Sequence, residues 1–448
     1  MGDEGAERAL TPPHVNVNVD LDRPIDVAVD VGVRSRRSGE AREVASLPMT
    51  RIAFTNATLF DATTGGFEEA DLVIANNRIV EVGKDLDAEE VIDCTDRYIL
   101  PGLIDTHVHV MFSHLDFMKQ MHTPFSYRFY AAMDNLRRTL GTGITSVRDA
   151  GGADAGVRKA VEDGVIRGPR LQIAIAMLSQ TGGHGDGWTQ SGGYFRLFTS
   201  YPGVPDNIVD GPEAMRLKVR EMLRAGADVI KVATSGGVLS PNDDPKHAHF
   251  DDDELAMLVK EASNQGKWVM AHAQATDGIK NAIRAGIRSI EHGIYLDDEA
   301  IEMMLEHGTY LVPTLIAPTG VRKAADRGVQ IPESSLRKAD EVVEAHHASF
   351  RKAVQAGVKI AMGTDSGVTP HGDNLEELEI MAELGMPKPD VLRASTMVAA
   401  ELMGTDHEVG SLEPGKLADF VIVNGDPLDF GGFKDHIEHV WKDGRLAI

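Results

Sequence analysis

Cysteine is all but missing from this sequence, in which Cys94 stands alone among 448 residues. A single thiol forbids an intramolecular disulfide and excludes clusters of thiolate ligands, so any metal must be held by His, Asp, Glu or Lys. Long apolar runs are missing too. No stretch approaches the roughly 18 uninterrupted apolar residues of a membrane span, so a soluble chain with no membrane partner is expected. The opening residues MGDEGAERALTPPH carry neither the basic nor the apolar segment of a secretory signal, which makes the cytoplasm the default location. Basic residues are in deficit. With 45 Lys and Arg against 69 Asp and Glu, the net charge of −24 argues against nucleic acid, whose phosphates need clustered cations. No glycine-rich dinucleotide fingerprint or phosphate loop opens a helix, which weakens a nucleotide-binding reading.

What is present fits one large domain and a smaller one, since single cores stop growing at roughly 250–300 residues. The first fifty residues lack a period and mix Pro, Asp, Arg and Gly, so 1–50 reads as a flexible extension. Patterned sequence begins just after Met49, which makes Met49 a candidate natural start; N-terminal sequencing of native protein decides it. From Arg51 to about Leu100, short alternating runs are separated by Gly, Asn and Asp turns, and GKLADFVIVNGDPL and HIEHVWKDGRLAI near the far end read the same way. Residues 51–101 and 405–448 are therefore expected to form one small β-sandwich domain built from both chain ends.

Between them, 102–404 alternates helix and strand. DDDELAMLVKEASNQG places Leu255, Leu258, Val259 and Ala262 on one helical face, with Asp251 as N-cap, Glu254 three residues on and Gly266 as a stop. Eight strands are expected near Ile104–Val110, Thr145–Asp149, Gln172–Met177, Asp228–Thr234, Trp268–His272, Arg288–His292, Tyr310–Thr314 and Lys359–Asp365. Eight such units predict an α/β fold of the (β/α)8 TIM-barrel kind.

Potential ligands fall at the C-terminal ends of these strands, where barrel active sites are built. His107 and His109 close the first strand, two residues apart, so both imidazoles face one side of an extended chain. His272 ends the fifth strand, His292 the sixth and Asp365 the eighth. Lys231 lies on the fourth, flanked by Val229, Ile230 and Val232, where a free ammonium is costly unless paired. Three explanations fit it: a carbamate formed with CO2, a Schiff-base amine of depressed pKa, or a salt bridge to a nearby acid.

Taken in order, LPGLIDTHVHV, KVATSGG, VMAHAQ, SIEHG and AMGTDSG resemble the amidohydrolase superfamily, and more narrowly its imidazolonepropionase-related, prolidase-like branch. The resemblance runs from about Arg51 to the C-terminus. It implies two divalent metal ions per chain, Zn²⁺ being the expected metal. His107, His109 and Asp365 would bind the more buried ion, His272 and His292 the second, and a CO2-derived carbamate on Lys231 would bridge them. Two such ions can lower the pKa of water from ~15.7 to about 7, and Asp365 would take the proton from the attacking hydroxide and pass it to the leaving amine.

Other candidates are less determined. His184, in TGGHGDGW, lies on a loop that would roof the site and contact substrate, or make a mere turn. His247 and His249 would line the entrance or sit solvated, Arg148 would bind a substrate carboxylate or pair with Asp149 or another structural acid, and His346 and His347 read as surface residues of a helix. The function implied is hydrolysis of an amide or peptide C–N bond. The expected substrate is a small molecule: an Xaa-Pro dipeptide or one with a hydrophobic C-terminal residue, an N-acyl amino acid, or an ochratoxin-like amide. The alternatives are a cyclic-amide hydrolase or aminohydrolase, a lactonase or phosphotriesterase, and, from a different class, a Schiff-base lyase using Lys231. A homo-oligomer is expected.

Overall fold

Strand β1 (Arg51–Asp61) is eleven residues long and alternates between two buried faces, because successive side chains of an extended chain point in opposite directions. It heads a sheet made with β2 (Gly66–Ala75), β3 (Arg78–Gly83), β4 (Glu90–Asp93) and β5 (Tyr98–Pro101). The computed structural model describes residues 50–448, apart from 241–242 and the side chain of Phe117. The expected flexible extension therefore lies outside the described residues, save Thr50.

After β5 the chain enters a parallel series: β6 (Leu103–Val108), β7 (Ile144–Asp149), β8 (Arg170–Ile173), β9 (Met177–Leu178), β10 (Ile230–Ala233), β11 (Val269–Ala273), β12 (Ser289–His292) and β13 (Tyr310–Val312). It returns to the first sheet with β14 (Phe420–Val423), β15 (Ile437–Lys442) and β16 (Arg445–Leu446). Both chain ends thus share one sheet, ordered β16-β15-β14-β5-β1-β2-β3, with β4 also on β1. The expected sandwich of two sheets is not what the hydrogen bonding gives. One sheet results because β1 is long enough to pair with β2 on one side, with a register shift between Phe54 and Ala57, and on the other with β4 along Ile52–Thr55 and then β5 at Thr58–Leu59.

The two faces of that sheet bury different things. Phe54, Leu59, Ile99, Phe420 and Trp441 form a core of their own, with Phe54 edge-on to Phe420 and Trp441 at 4.9 and 5.0 Å between centroids. Their neighbours Phe60, Leu100, Val421 and Val423 point the other way, into the main core under the parallel strands.

The parallel strands form a TIM-barrel-like α/β arrangement in two sheets, β6-β7-β8 and β13-β12-β11-β10-β9, neither closed on itself. A twist at Ile175 (φ 71°) separates β8 from β9. The expected eighth strand, Lys359–Asp365, is not a regular strand. Its segment makes single parallel bridges, Ile360 to Leu311 and Ser366 to Val108, with Met362 O accepting from Thr106 N at 3.0 Å and His107 O from Asp365 N at 2.7 Å. Asp365 itself has φ 59°, which no regular strand residue adopts.

Helices fill the connections. Helix Asp252–Ser263 starts with the expected capping box of Asp251 and Glu254 and buries Leu255, Leu258 and Ala262. The long helix Glu333–Ala356 ends on Gly357 at φ 81°, a left-handed cap that turns the chain straight into the eighth segment. Among the described residues, no helix is long and apolar enough to cross a membrane.

Candidate active site

The residues at the C-terminal ends of the parallel strands meet in one cavity of about 300 Å³, which His107, His109, Lys231, His272, His292 and Asp365 all line. The strand ends converge there because neighbouring strands keep register: Lys231 pairs with Met270, and His272 with Glu291. Three of the residues that shape this rim, His292 (φ 73°), Thr314 (φ 52°) and Asp365 (φ 59°), hold positive backbone angles. Non-glycine residues in that region are strained, and such strain concentrates at functional sites.

Each imidazole has one nitrogen committed. His107 Nδ1 lies 2.7 Å from Glu291 Oε2, His109 Nδ1 donates to Gly151 O at 2.7 Å, His292 Nδ1 pairs with Thr314 Oγ1 at 2.7 Å, and His272 Nε2 donates to Gly236 O at 3.2 Å. His109 Nε2 and His107 Nε2 stand 3.3 and 3.6 Å from the same oxygen, Asp365 Oδ1. His107, His292 and Asp365 each offer a ligand atom, all within 4.8 Å of one another. This group takes in His292, which the resemblance assigns to a second ion, and so ties the two expected ligand sets together.

Burial sets the charge state of these groups. Burial and the charge of Lys231 hold the His107 imidazole well below its ordinary range, and burial with the neighbouring histidines does the same at His272 and His292. Burial acts to raise the Asp365 carboxyl, but the His109 hydrogen bond and the surrounding cationic groups outweigh it and hold it ionised, at about 2. The neutral imidazoles of His107, His272 and His292 beside an ionised carboxylate are a donor set for a divalent ion, whereas the Asp365 carboxylate outweighs burial at His109 and raises that ring.

Lys231, on β10, is 1% exposed, and its Nζ has no hydrogen-bond partner within the protein. The salt-bridge explanation therefore fails at the level of direct contact. Burial, helped by the Arg148 charge and opposed by Glu291 and Asp365, pushes the amine down to about 8. About a tenth of it is then uncharged at pH 7, far more than for an ordinary lysine, and the uncharged form is the nucleophilic one.

His184 lies across the cavity with its ring stacked on His272 at 4.1 Å, its Nδ1 2.7 Å from Ser240 Oγ and 3.4 Å from Asp243 Oδ2. Its turn brings it to the site. His249 is buried, held down to about 4 by that burial, and lies outside the cavity lining, while His247 is exposed.

Arg148 takes one of its expected alternatives, a structural acid other than Asp149: it is buried and donates to both oxygens of Glu291, at 3.0 and 3.2 Å. Asp149 instead accepts from the backbone of Val110, Gly151 and Ala153. His346 is not on the surface. Its helix buries Val342, His346, Ser349 and Phe350 on one face, and His346 Nε2 donates to His292 O and Pro313 O at 2.9 and 2.8 Å. The i, i+4, i+7 spacing of those residues was the signal for it. Glu291 and Gln274 were not singled out from sequence either. Gln274 lines the cavity with Oε1 unpartnered, and Glu291 was detectable as an acid directly preceding the strand-end His292.

Comparison with known proteins follows the geometry. The Amidohydrolase family profile matches residues 98–447. Ochratoxinase of Aspergillus niger is 34% identical over 400 residues, covering 84% of this chain and 82% of its own. Among solved structures, a Xaa-Pro dipeptidase with methionine bound in its active site is 33% identical with a TM-score of 0.81, covering 89% of this chain and 99% of its own. A prolidase complexed with N-methylphosphonate-L-proline is 34% identical with a TM-score of 0.82 and the same coverage. The chain accordingly belongs to the amidohydrolase family and is a hydrolase acting on amide C–N bonds.

Proposed function

We propose that this hydrolase works with two divalent ions, Zn²⁺ by preference, held by His107, His109, His272, His292 and Asp365 and bridged by a carbamate on Lys231. The observation that carries the reading is the convergence of four imidazoles and a carboxylate around a buried amine that has no partner of its own. An orphaned polar atom at that depth costs about 1–3 kcal/mol, so its persistence argues for a ligand. Carboxylation by CO2 forms an N–C bond at Nζ, releases one proton and leaves an anionic oxygen donor where the amine had none.

When bound, the ions supply Lewis acidity towards the amide carbonyl and lower the pKa of water. The remaining work belongs to the chain. Asp365, ionised and beside the His107 and His109 rings, accepts the proton of the attacking water at Oδ1 and returns it to the departing nitrogen. His184, stacked on His272, presents its ring to the substrate side of the cavity. Phe112, Leu197, Phe198, Val238 and Leu239 close the rest of the cavity with apolar surface, which excludes bulk water and selects apolar substituents.

The proposed substrates are small amides with a hydrophobic group: Xaa-Pro dipeptides, dipeptides with a hydrophobic C-terminal residue, or N-acyl amino acids. Support comes from the apolar walls and from the relatives, one an ochratoxinase and two acting on proline dipeptides or binding a proline analogue. The test combines metal analysis with a substrate panel. About two ions per chain and turnover of at least one apolar member are expected with Zn²⁺ and bicarbonate present. One ion per chain, or no turnover across the panel, defeats the proposal.

A further inference from the structure

A neutral imidazole has one lone pair, and the partner of its other nitrogen decides where that lone pair points. Around the cavity most of these partners are neutral: a carbonyl for His109, another for His272 and a hydroxyl for His292. His107 differs. Its Nδ1 meets a carboxylate oxygen, Glu291 Oε2, at 2.7 Å.

Glu291 is held from several directions. Ser289 Oγ donates to Oε1 at 2.5 Å, and Arg148 Nη2 donates to Oε1 and Oε2. Arg148 is fixed in turn by Thr106 O, which accepts from its Nε at 2.7 Å and belongs to the residue preceding His107. His107, Arg148 and Glu291 are 1%, 2% and 0% exposed. An ion pair buried this deeply gives little net stability compared with apolar side chains of similar volume. Stability alone does not account for it.

We infer that Glu291, clamped by Arg148 and Ser289, is a positioning residue that fixes His107 as the Nδ1–H tautomer and aims its Nε2 lone pair at the cation site beside Asp365. A charged acceptor also makes the opposite nitrogen a stronger donor. The inference rests on the metal reading proposed above. Glu291 touches no substrate; it acts through His107.

The test starts with wild-type protein stripped of metal and labelled with ¹⁵N-histidine. Long-range ¹H–¹⁵N spectra show which ring nitrogen carries the proton, and His107 is assigned by the signal lost in His107→Asn. The expected result is Nδ1–H, and Nε2–H overturns the inference outright. In Glu291→Gln the amide keeps the shape but offers an N–H to Nδ1. The ring should then become Nε2–H, and Zn²⁺ affinity in equilibrium dialysis should fall about 10- to 100-fold. If Glu291→Gln does not fold, Ser289→Ala keeps both charges but removes one donor to the carboxylate and one acceptor of Arg148 Nη1, and a loss of about three- to tenfold is expected. Folded Glu291→Gln that binds Zn²⁺ as wild type does refutes the positioning role. Wild type that binds no Zn²⁺ refutes the metal reading instead.

Discussion

Replacing Lys231 by Met removes the buried ammonium and keeps the length of the side chain, and the structure sets a sign for the result that runs against intuition. In the structure this amine has no hydrogen-bond partner within the protein and is pushed from 10.5 down to about 8, chiefly by burial. At about 1.4 kcal/mol for each tenfold, that displacement corresponds to a penalty of about 3 kcal/mol on the folded state while the amine is protonated. Because the folded pKa lies below the unfolded one, the penalty is complete below pH 8 and disappears as pH rises from 8 towards 10.5. Lys231→Met should therefore stabilise metal-stripped protein by up to about 3 kcal/mol at pH 7. With an unfolding entropy of ~2.1 cal/mol/K per residue over roughly 400 residues, the melting temperature rises by about 4 °C. The gain should shrink by pH 10, where wild type recovers its own stability. Activity of metal-loaded enzyme should meanwhile fall about 100-fold or more if the proposed carbamate bridge forms on this amine. The assay is thermal denaturation of chelator-treated wild type and variant across that pH range. A lower melting temperature in the variant at pH 7 would show that the amine makes a stabilising contact, and the argument for an orphaned ligand would collapse.

Chelation should abolish hydrolysis, and Zn²⁺ with bicarbonate should restore it more fully than Zn²⁺ in CO2-free buffer; equal recovery in both argues against the carbamate. A Cβ on Gly237 would stand 2.2 Å from His184 Cε1, so Gly237→Ala must displace that ring. A drop of about tenfold in kcat/KM with unchanged melting is expected, and an unchanged kcat/KM removes His184 from substrate contact. Glu377 is buried at the start of helix Ile316–Asp326 and accepts from Leu315 N and Ile316 N. Glu377→Gln turns one acceptor into a donor facing an N–H and should cost about 1–3 kcal/mol in urea denaturation; no change means the amide finds another partner.

The strand-end residues were legible because barrel chemistry is local in sequence: a His or Asp at the end of an apolar run carries its own address, as His107, His272, His292 and Asp365 do. The capping box at Asp251 was legible for the same reason, as its partners lie three residues apart. The irregular eighth segment was not, because the positive φ of Asp365 is imposed by its backbone bond to His107 across 258 positions of chain. Nor was the single sheet built from both ends, whose form depends on how β1 shares its length between β2, β4 and β5.

By itself, then, the sequence determined the family, the alternation of strands and helices, and the six strand-end residues that line the cavity. Only the tertiary structure decided that Lys231 Nζ is left without a partner, that Arg148 serves Glu291 rather than a substrate, and that His346 turns inward to the carbonyls of His292 and Pro313. The physical reason is that a ligand's identity is written in one residue and its neighbours. Partnership between buried polar groups depends on distances between strands far apart in the chain, which no local pattern encodes.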